Sequence, residues 1–231
     1  MSAAADATGS TGGGDGTGGV RADRPDSAVI ARMFTGPDGG FRFARWGRPM
    51  APVVFGTDDA TLATLRAALA TVARIAERPL AETDPESGAN LMIFFLRDWA
   101  EMAAIPDFGA LLGGNVPLPE DLARSGARRY RRFRFDAGGA IRAGVSLVRL
   151  DRDLDGIEAE SLALDEAVRL SLTWSPAAFD GVPGVVLAGG RAVPGPGVSA
   201  LIRAAYDRSL PDAGTDPSLA LRIAARLPAA G

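Results

Sequence analysis

Residues 89–96 read ANLMIFFL, a continuous apolar run about as long as one strand. Successive side chains of a strand alternate between the two faces of its sheet, so an uninterrupted apolar run indicates burial on both faces. We therefore predict that this segment is the central strand of the fold. The segments before and after it decide which class of fold it belongs to.

The segment before this strand predicts a long helix. Asp58 and Asp59 are of the residue type that caps helix N-termini, and the apolar residues after them recur at helical spacing until Pro79 ends the pattern. Further upstream, FRFARW (41–46) and VVF (53–55) have the alternation and composition of strands. A helix that joins two strands of one sheet is the simplest arrangement of these pieces.

Five segments after the central strand also have recognisable patterns: a β-hairpin, a central helix, a loop with at most one short strand, and two closing helices. They lie at residues 128–135 with 141–150, 157–173, 181–197, 198–208 and 218–227. The whole order predicts an α+β fold with a mixed or antiparallel sheet, a long N-terminal helix, a central helix and closing C-terminal helices.

The first 28 residues are expected to form a disordered Gly-rich tail. They include MSAAADATGSTGGGDGTGGV, a segment too poor in apolar side chains to offset the entropy cost of ordering. Residues 29–231 are enough for one domain with a sizeable core.

The composition excludes much chemistry. The chain has no histidine and no cysteine, and its 25 basic residues are all arginine. Without histidine or cysteine there is no Ser-His-Asp triad, no thiol nucleophile and no ordinary zinc site. Without lysine there is no Schiff base and no Walker-type phosphate loop. We therefore expect no cofactor, and the missing side chains favour a protein that is not an enzyme.

Charge and hydropathy bear on partners and location. The net charge is −3, so no global attraction to nucleic acid is expected. No signal segment is visible and no apolar run approaches the ~20 residues that span a bilayer. The sequence therefore predicts a cytoplasmic protein without a membrane span.

An unusual set of charges interrupts the central helix. LALDEAVRLSL (162–172) places Asp165, Glu166 and Arg169 within an apolar stretch. Residues four apart face each other on a helix, so Asp165 and Arg169 are expected to form an ion pair. Glu166 is turned about 100° from that pair, so Arg169→Ala is expected to destabilise the fold more than Glu166→Ala.

Four segments together carry a family resemblance: FRFARWGRPM (41–50), GANLMIFFL (88–96), SLALDEAVRLSL (161–172) and AAYDRSLPDAGTDPSLALRIAARL (204–227). In this order they resemble an uncharacterised bacterial family, the one catalogued as domain of unknown function 2927, over about residues 41–227. That family in turn resembles the zincin metallopeptidases, in which a long helix, an edge strand, an active-site helix and a final helix follow one another. The resemblance implies a zincin-like fold.

The resemblance also implies where a metal centre would lie. The zincin helix carries H-E-x-x-H, in which two histidines bind zinc and the glutamate is the general base. Asp165 and Arg169 stand at the two histidine positions, and only Glu166 matches the pattern. Arginine stays protonated and cannot bind a metal, so this is a degenerate metal site without zinc.

Two functional hypotheses follow from this degenerate site. The first is a non-catalytic zincin-like domain that binds a peptide or protein partner along an exposed strand. The alternative is a metal-independent hydrolase that uses Glu166 with a second carboxylate or Tyr206. The two differ in whether Glu166 faces a cleft.

The loop before the central helix contains half of a calcium-binding pattern. Asp151, Asp153 and Asp155 alternate before Gly156, as carboxylates do at the start of an EF-hand loop. The pattern then requires a glutamate where this chain has Leu162. The alternative is an acidic turn that favours the N-terminus of the next helix.

The first strand of the hairpin is rich in arginine. ARRYRRFRF (127–135) offers Arg129, Arg131, Arg132 and Phe133 as candidates for binding a partner, since arginine and aromatic side chains can hold an acidic peptide or a single-stranded nucleic acid. The alternative is an edge strand whose charges prevent pairing with other chains. Nucleic acid is not expected, because no domain-wide positive charge supports it.

Overall fold

A computed structural model describes residues 4–6, 24–114, 116–150, 152 and 156–228 of the chain. These residues form the strands β1 Ala4–Asp6, β2 Phe43–Ala44, β3 Pro52–Phe55, β4 Leu91–Leu96, β5 Arg129–Phe135, β6 Ile141–Arg149, β7 Val185–Ala188, β8 Arg191–Pro194 and β9 Ala213–Gly214. The α-helices are α1 Ser27–Met33, α2 Asp59–Ile75, α3 Phe108–Leu111, α4 Pro119–Arg124, α5 Gly156–Leu170, α6 Pro196–Ala205 and α7 Ser218–Ala224, with a 3₁₀ helix at Trp99–Ala104. The α+β class is confirmed.

The main sheet has five strands in the order β1-β5-β6-β4-β3. β3, β4 and β6 are parallel to one another, whereas β5 runs antiparallel to β6 and β1 antiparallel to β5. The predicted mixed sheet is therefore present. β4 lies between β3 and β6, as its apolar sequence predicted.

Both faces of the sheet are covered. Helices α2 and α5 share one core with alternate β4 residues such as Leu91 and Ile93. The 3₁₀ helix, α3 and α4 cover the opposite face, where Phe94, Leu147 and Tyr130 are buried. This alternation along β4 explains why its sequence is continuously apolar.

Helix α2 begins where its capping residues predicted. The Asp58 side chain accepts a hydrogen bond from the Thr61 N–H over 2.7 Å. Its apolar side faces the sheet, with Leu65, Leu69 and Val72 fully buried. The helix connects β3 to the parallel neighbour β4, as the spacing of the two strand segments suggested.

The segment 181–197 differs from its prediction. Instead of a loop with at most one short strand, it forms the hairpin β7–β8. The turn consists of Gly189 and Gly190, both with positive φ, which is the backbone that a tight hairpin turn requires. A Gly-Gly pair between two short apolar segments was the signal that the prediction missed.

The N-terminal region also differs in two places. Helix α1 begins at Ser27, capped by the Asp26 side chain, two residues before the predicted start of the domain. Ala4–Asp6 pair with β5, so β5 is not the last strand of the sheet. The remaining residues of the predicted tail, 1–3 and 7–23, lie outside the described residues. Over the described part of the chain, no helix has the length and apolarity to cross a membrane.

Candidate functional site

A group of charged side chains joins helix α5 to the strands beside it. Arg129 Nη1 of β5 donates to Asp165 Oδ2, and Arg169 Nε donates to both oxygens of Asp165 at 3.0 Å. The expected pair between Asp165 and Arg169 is thus present, with Arg129 as a third member. Arg169 also lies over the ring of Phe179, with its guanidinium carbon 4.6 Å from the ring centre.

Glu166 lies deeper than this pair. Its side chain is 1% exposed, and its Oε1 accepts a hydrogen bond of 2.6 Å from the Ser146 hydroxyl of β6. Its Oε2 lies 3.5 Å from Arg129 Nε and 3.8 Å from Arg131 Nη1. This burial leads us to expect the opposite order of effects for Glu166→Ala and Arg169→Ala, because breaking a buried ion pair on one side is costly.

These five residues form the charged cluster: Arg129, Arg131, Asp165, Glu166 and Arg169. Its three cations and two anions give a net charge of +1. Arg129 is 18% exposed, Arg169 13% and Asp165 21%, so the outer part of the cluster still meets solvent.

The cluster does not fit zinc. Guanidinium groups already bind both oxygens of Asp165, and Arg169, at the position where the resemblance would place a second ligand, stays protonated and cannot bind a metal. Within the described ranges, no group of three or more acidic side chains lies close enough to hold a metal ion. Asp151, Asp153 and Asp155, the calcium candidates, lie outside the described residues.

Two cavities open along β5. One of about 630 Å³ is lined by Arg129 and by Leu187 of β7. The other, of about 570 Å³, is lined by Phe133 and Phe135 at the far end of the strand. Arg169 lines both cavities. Both cavities therefore adjoin the charged cluster on the α5 side of β5, and together they are called the β5 groove.

A second segment of the chain already pairs with the strand that borders this groove. β1 lies antiparallel to β5, with Ala4 opposite Arg131 and Asp6 opposite Arg129. The edge of β5 therefore accepts a strand that is distant in sequence, at the level of the charged cluster. This position could not be predicted from the glycine-rich sequence around β1.

Comparison of the chain with protein-family models, with curated proteins and with solved structures finds no match. The resemblance to the uncharacterised bacterial family therefore stays a prediction. The four segments that carry it lie at residues 41–50, 88–96, 161–172 and 204–227.

Three of those segments meet around Arg45 and Trp46. The buried Arg45 side chain donates to the backbone oxygens of Ala205, Asp207 and Leu210 and to the carboxylate of Asp212. Trp46 Nε1 donates to the Leu170 carbonyl at the end of α5. Arg45 was not singled out from the sequence, because its acceptors lie about 160 residues further along the chain and most of them are backbone atoms.

The remaining candidate residues divide between the two faces of β5. Arg131 and Phe133 share the α5 face with Arg129, and Phe133 contacts Trp46 edge to face at 6.3 Å between ring centres. Arg132 lies on the opposite face beside Tyr130. Burial raises the pKa of Tyr130, and the hydrogen bond from Arg132 lowers it in part. Arg132 is therefore not part of the charged cluster.

Tyr206 is a buried residue whose hydroxyl binds backbone groups. Its hydroxyl donates to the Ser171 carbonyl at 2.7 Å and accepts from the Trp46 N–H at 3.3 Å. Burial raises the pKa of Tyr206 well above its usual range, although its hydrogen bond with Trp46 acts against this. The structure therefore gives Tyr206 a role in joining α6 to the end of α5 rather than a partnership with Glu166.

Proposed function

We propose that this chain is a non-catalytic zincin-like domain that binds an extended segment of a protein partner along β5. The observation that carries the proposal is the pairing of β1 with β5 beside the β5 groove. Main-chain hydrogen bonds to a sheet edge supply affinity in this mode of recognition, and side-chain pockets supply specificity.

The order of elements supports the zincin-like part of the proposal. A long helix α2, the hairpin of β5 and β6, the helix α5 and a final helix α6 follow one another as the resemblance implies. Asp165, Glu166 and Arg169 lie on α5 beneath β5, where the family frame would hold its metal. In this chain Arg129 and Arg131 of β5 lie beside these acidic residues.

The burial of Glu166 favours binding over catalysis. A general base must reach its substrate directly or through one water molecule. The Glu166 side chain is 1% exposed and directed at Ser146 and Arg129, so it does not face the β5 groove. Tyr206 is buried with its hydroxyl bound to backbone groups. The hydrolase alternative lacks an accessible reacting group at these residues.

The test uses the full-length chain with Ala5→Pro and Asp6→Pro. Successive residues of a strand direct their N–H groups to opposite sides, so one of the two prolines removes an N–H that faces β5, and β1 should be released. A fluorescent peptide with the sequence of residues 1–10, MSAAADATGS, is added up to about 1 mM, the range in which ~4 kcal/mol of affinity is detected. We expect binding by fluorescence anisotropy, and protection of the Arg129–Arg131 amides in hydrogen exchange.

Three controls make the result specific. The wild-type chain should bind the peptide more weakly, because its tethered β1 acts at a millimolar effective concentration. The same peptide with both A5P and D6P should not bind, and mass spectrometry should find the parent peptide intact. Absence of binding, or protection away from β5, would contradict the proposal, and cleavage of the peptide would favour the hydrolase.

A further inference from the structure

We propose that the cavity at the Phe133 end of β5 binds an aromatic side chain of the segment that pairs with this strand. This inference rests on the proposed function and names the chemistry of the partner. It begins from the residues that line this cavity of about 570 Å³, the aromatic cavity.

Aromatic rings are concentrated at the aromatic cavity. Five of its sixteen lining residues are aromatic, whereas aromatic residues make up 6% of the chain. The cavity of similar size at the other end of β5 has only Phe179 as an aromatic lining residue. The composition of the wall therefore favours a ring as the ligand. The five rings belong to Phe34, Phe41, Phe133, Phe135 and Trp174.

The inner wall of the cavity is preorganised. Phe34 and Trp174 stack with their ring centres 5.2 Å apart, and Phe34 meets Phe41 edge to face at 6.2 Å. All three side chains are buried, so their positions are fixed by packing. A ring that enters the cavity does not have to order them, which keeps the entropy cost of binding low.

The outer wall offers ring surface to a ligand. Phe133 and Phe135 are only partly buried, and the guanidinium carbon of Arg42 lies 5.7 Å from the centre of the Phe135 ring. Aromatic rings gain from stacking and edge-to-face contacts with other rings, and a planar guanidinium also stacks on a ring face. Both interactions favour an aromatic side chain over an aliphatic one of similar size.

The backbone of β5 leads a paired segment to this cavity. The Arg128 carbonyl accepts a hydrogen bond from the Arg149 N–H of β6. Backbone groups point alternately to the two sides of a strand, so those of Arg129, Arg131 and Phe133 point away from β6, to the outer edge. β1 is paired with Arg129–Arg131, and Phe133 is the next position along that edge.

The face of a bound side chain follows from its neighbour on β5. The Phe133 side chain lies on the α5 face, where it contacts Trp46 and lines the aromatic cavity. Directly opposite residues of an antiparallel pair have their side chains on the same face of the sheet. A residue bound opposite Phe133 therefore directs its side chain to the side of the cavity, and a residue bound opposite Arg132 directs it to the other face.

The test compares four peptides on the full-length chain with Ala5→Pro and Asp6→Pro: the parent of residues 1–10 and its S2F, S2L and A3F forms. Each peptide is acetylated at its N-terminus and labelled at its C-terminus, so that neither a charge nor the dye lies beside the cavity. In the register that pairs position 4 with Arg131, position 2 lies opposite Phe133 and position 3 opposite Arg132.

We expect S2F to bind about tenfold more tightly than the parent, as for the burial of one aromatic side chain. It should bind about threefold more tightly than S2L, because leucine gains burial but no ring contacts. A3F carries the same ring on the other face and should bind like the parent. Hydrogen exchange with S2F should protect the Phe133 amide.

A second substitution in the same chain tests the site. Phe135→Leu keeps an apolar wall but removes a ring, so it should remove most of the difference between S2F and S2L. Phe55→Leu is the matched control, since Phe55 is 44% exposed on β3 at the opposite edge of the sheet, and it should keep the difference. If Phe135→Leu does not fold by circular dichroism, Thr215→Trp replaces it. Thr215 is an exposed residue that lines the cavity, and a bulky ring there should reduce the gain of S2F by occupying the space.

The outcomes separate this inference from the proposed function. Equal binding of the parent and S2F, or of S2F and A3F, would overturn the inference and leave strand addition in place. A preference for S2F that is unchanged by the substitution in the cavity would also overturn it, since the ring would then bind elsewhere. If none of the peptides binds, both proposals fail.

Discussion

Replacing Glu166 by alanine is expected to be the most damaging single change in the charged cluster. The substitution removes a carboxylate that is 1% exposed and accepts the Ser146 hydroxyl. It also removes the anion whose Oε2 lies 3.5 Å from Arg129 Nε and 3.8 Å from Arg131 Nη1. Breaking a buried ion pair on one side costs ~3–5 kcal/mol of unfolding free energy.

Arg169→Ala should cost less. Asp165 keeps its bond to Arg129 when Arg169 is removed, and both members of the pair are partly exposed, at 13% and 21%. An exposed pair contributes ~0.2–1 kcal/mol, and the contact of Arg169 with Phe179 adds ~0.5–1 kcal/mol. We therefore expect ~1–2 kcal/mol for Arg169→Ala, about half or less of the effect of Glu166→Ala.

Urea unfolding and thermal melts, both followed by circular dichroism, measure this difference as a free energy of unfolding and as a Tm. In a chain of this size 1 kcal/mol corresponds to a change of ~2–4 °C in Tm, so Glu166→Ala should lower Tm by ~10 °C and Arg169→Ala by a few degrees. Glu160→Ala is the matched control on the same helix, because Glu160 is 37% exposed and should change stability by under ~1 kcal/mol. The reasoning is refuted if Glu166→Ala resembles this control, or if Arg169→Ala is the more damaging.

Two further predictions concern residues outside the cluster. Arg45→Lys should destabilise the fold by ~2 kcal/mol or more in the same unfolding assay, because lysine cannot reach all the carbonyl oxygens that the buried guanidinium of Arg45 binds. The control Arg42→Lys, at an exposed position, should change stability very little. Equal effects of the two substitutions would contradict the structural role of Arg45. Burial alone would raise the pKa of Asp84, but hydrogen bonds from the Glu86 and Ser87 backbone, the Ser87 hydroxyl and Arg48 lower it to about 2. Its carboxylate therefore stabilises the fold fully above its ordinary pKa of 3.8, and this contribution is lost as the pH falls towards about 2. A scan of Tm against pH should be less steep in that window for Asp84→Asn than for the wild type, and parallel curves would contradict the prediction.

The elements that the sequence predicted well are those with local signals. The apolar run of β4, the capped helix α2 and the hairpin of β5 and β6 each have a pattern within one segment. The hairpin β7–β8 had such a signal in Gly189 and Gly190, and it was missed because the surrounding segment is rich in proline and glycine.

The candidate site could be predicted only in part from the sequence, and the reason is physical. The pair of Asp165 and Arg169 lies within one helical turn, so its spacing predicts it. The partners that decide the role of Glu166 come from other elements: Ser146 lies 20 residues away in sequence, and Arg129 lies on β5. No periodicity in a helix can indicate which strand packs against it. The sequence therefore predicted the pair of Asp165 and Arg169, whereas the burial of Glu166, which leads us to expect the larger effect there, depends on elements that are distant in sequence.

The charged cluster links the edge of the sheet to the helix beneath it. In a metallopeptidase of the resembled type, the two histidines of the corresponding helix bind the metal and its glutamate is the general base. Here Arg129 belongs to the strand that β1 pairs with, and the same side chain binds Asp165 and approaches Glu166. Binding of a segment at β5 and the ion pairs of α5 therefore share one residue. A change at Arg129 should for that reason affect both stability and binding along β5, whereas a change at Ser146, whose hydroxyl binds the buried Glu166, should affect stability alone.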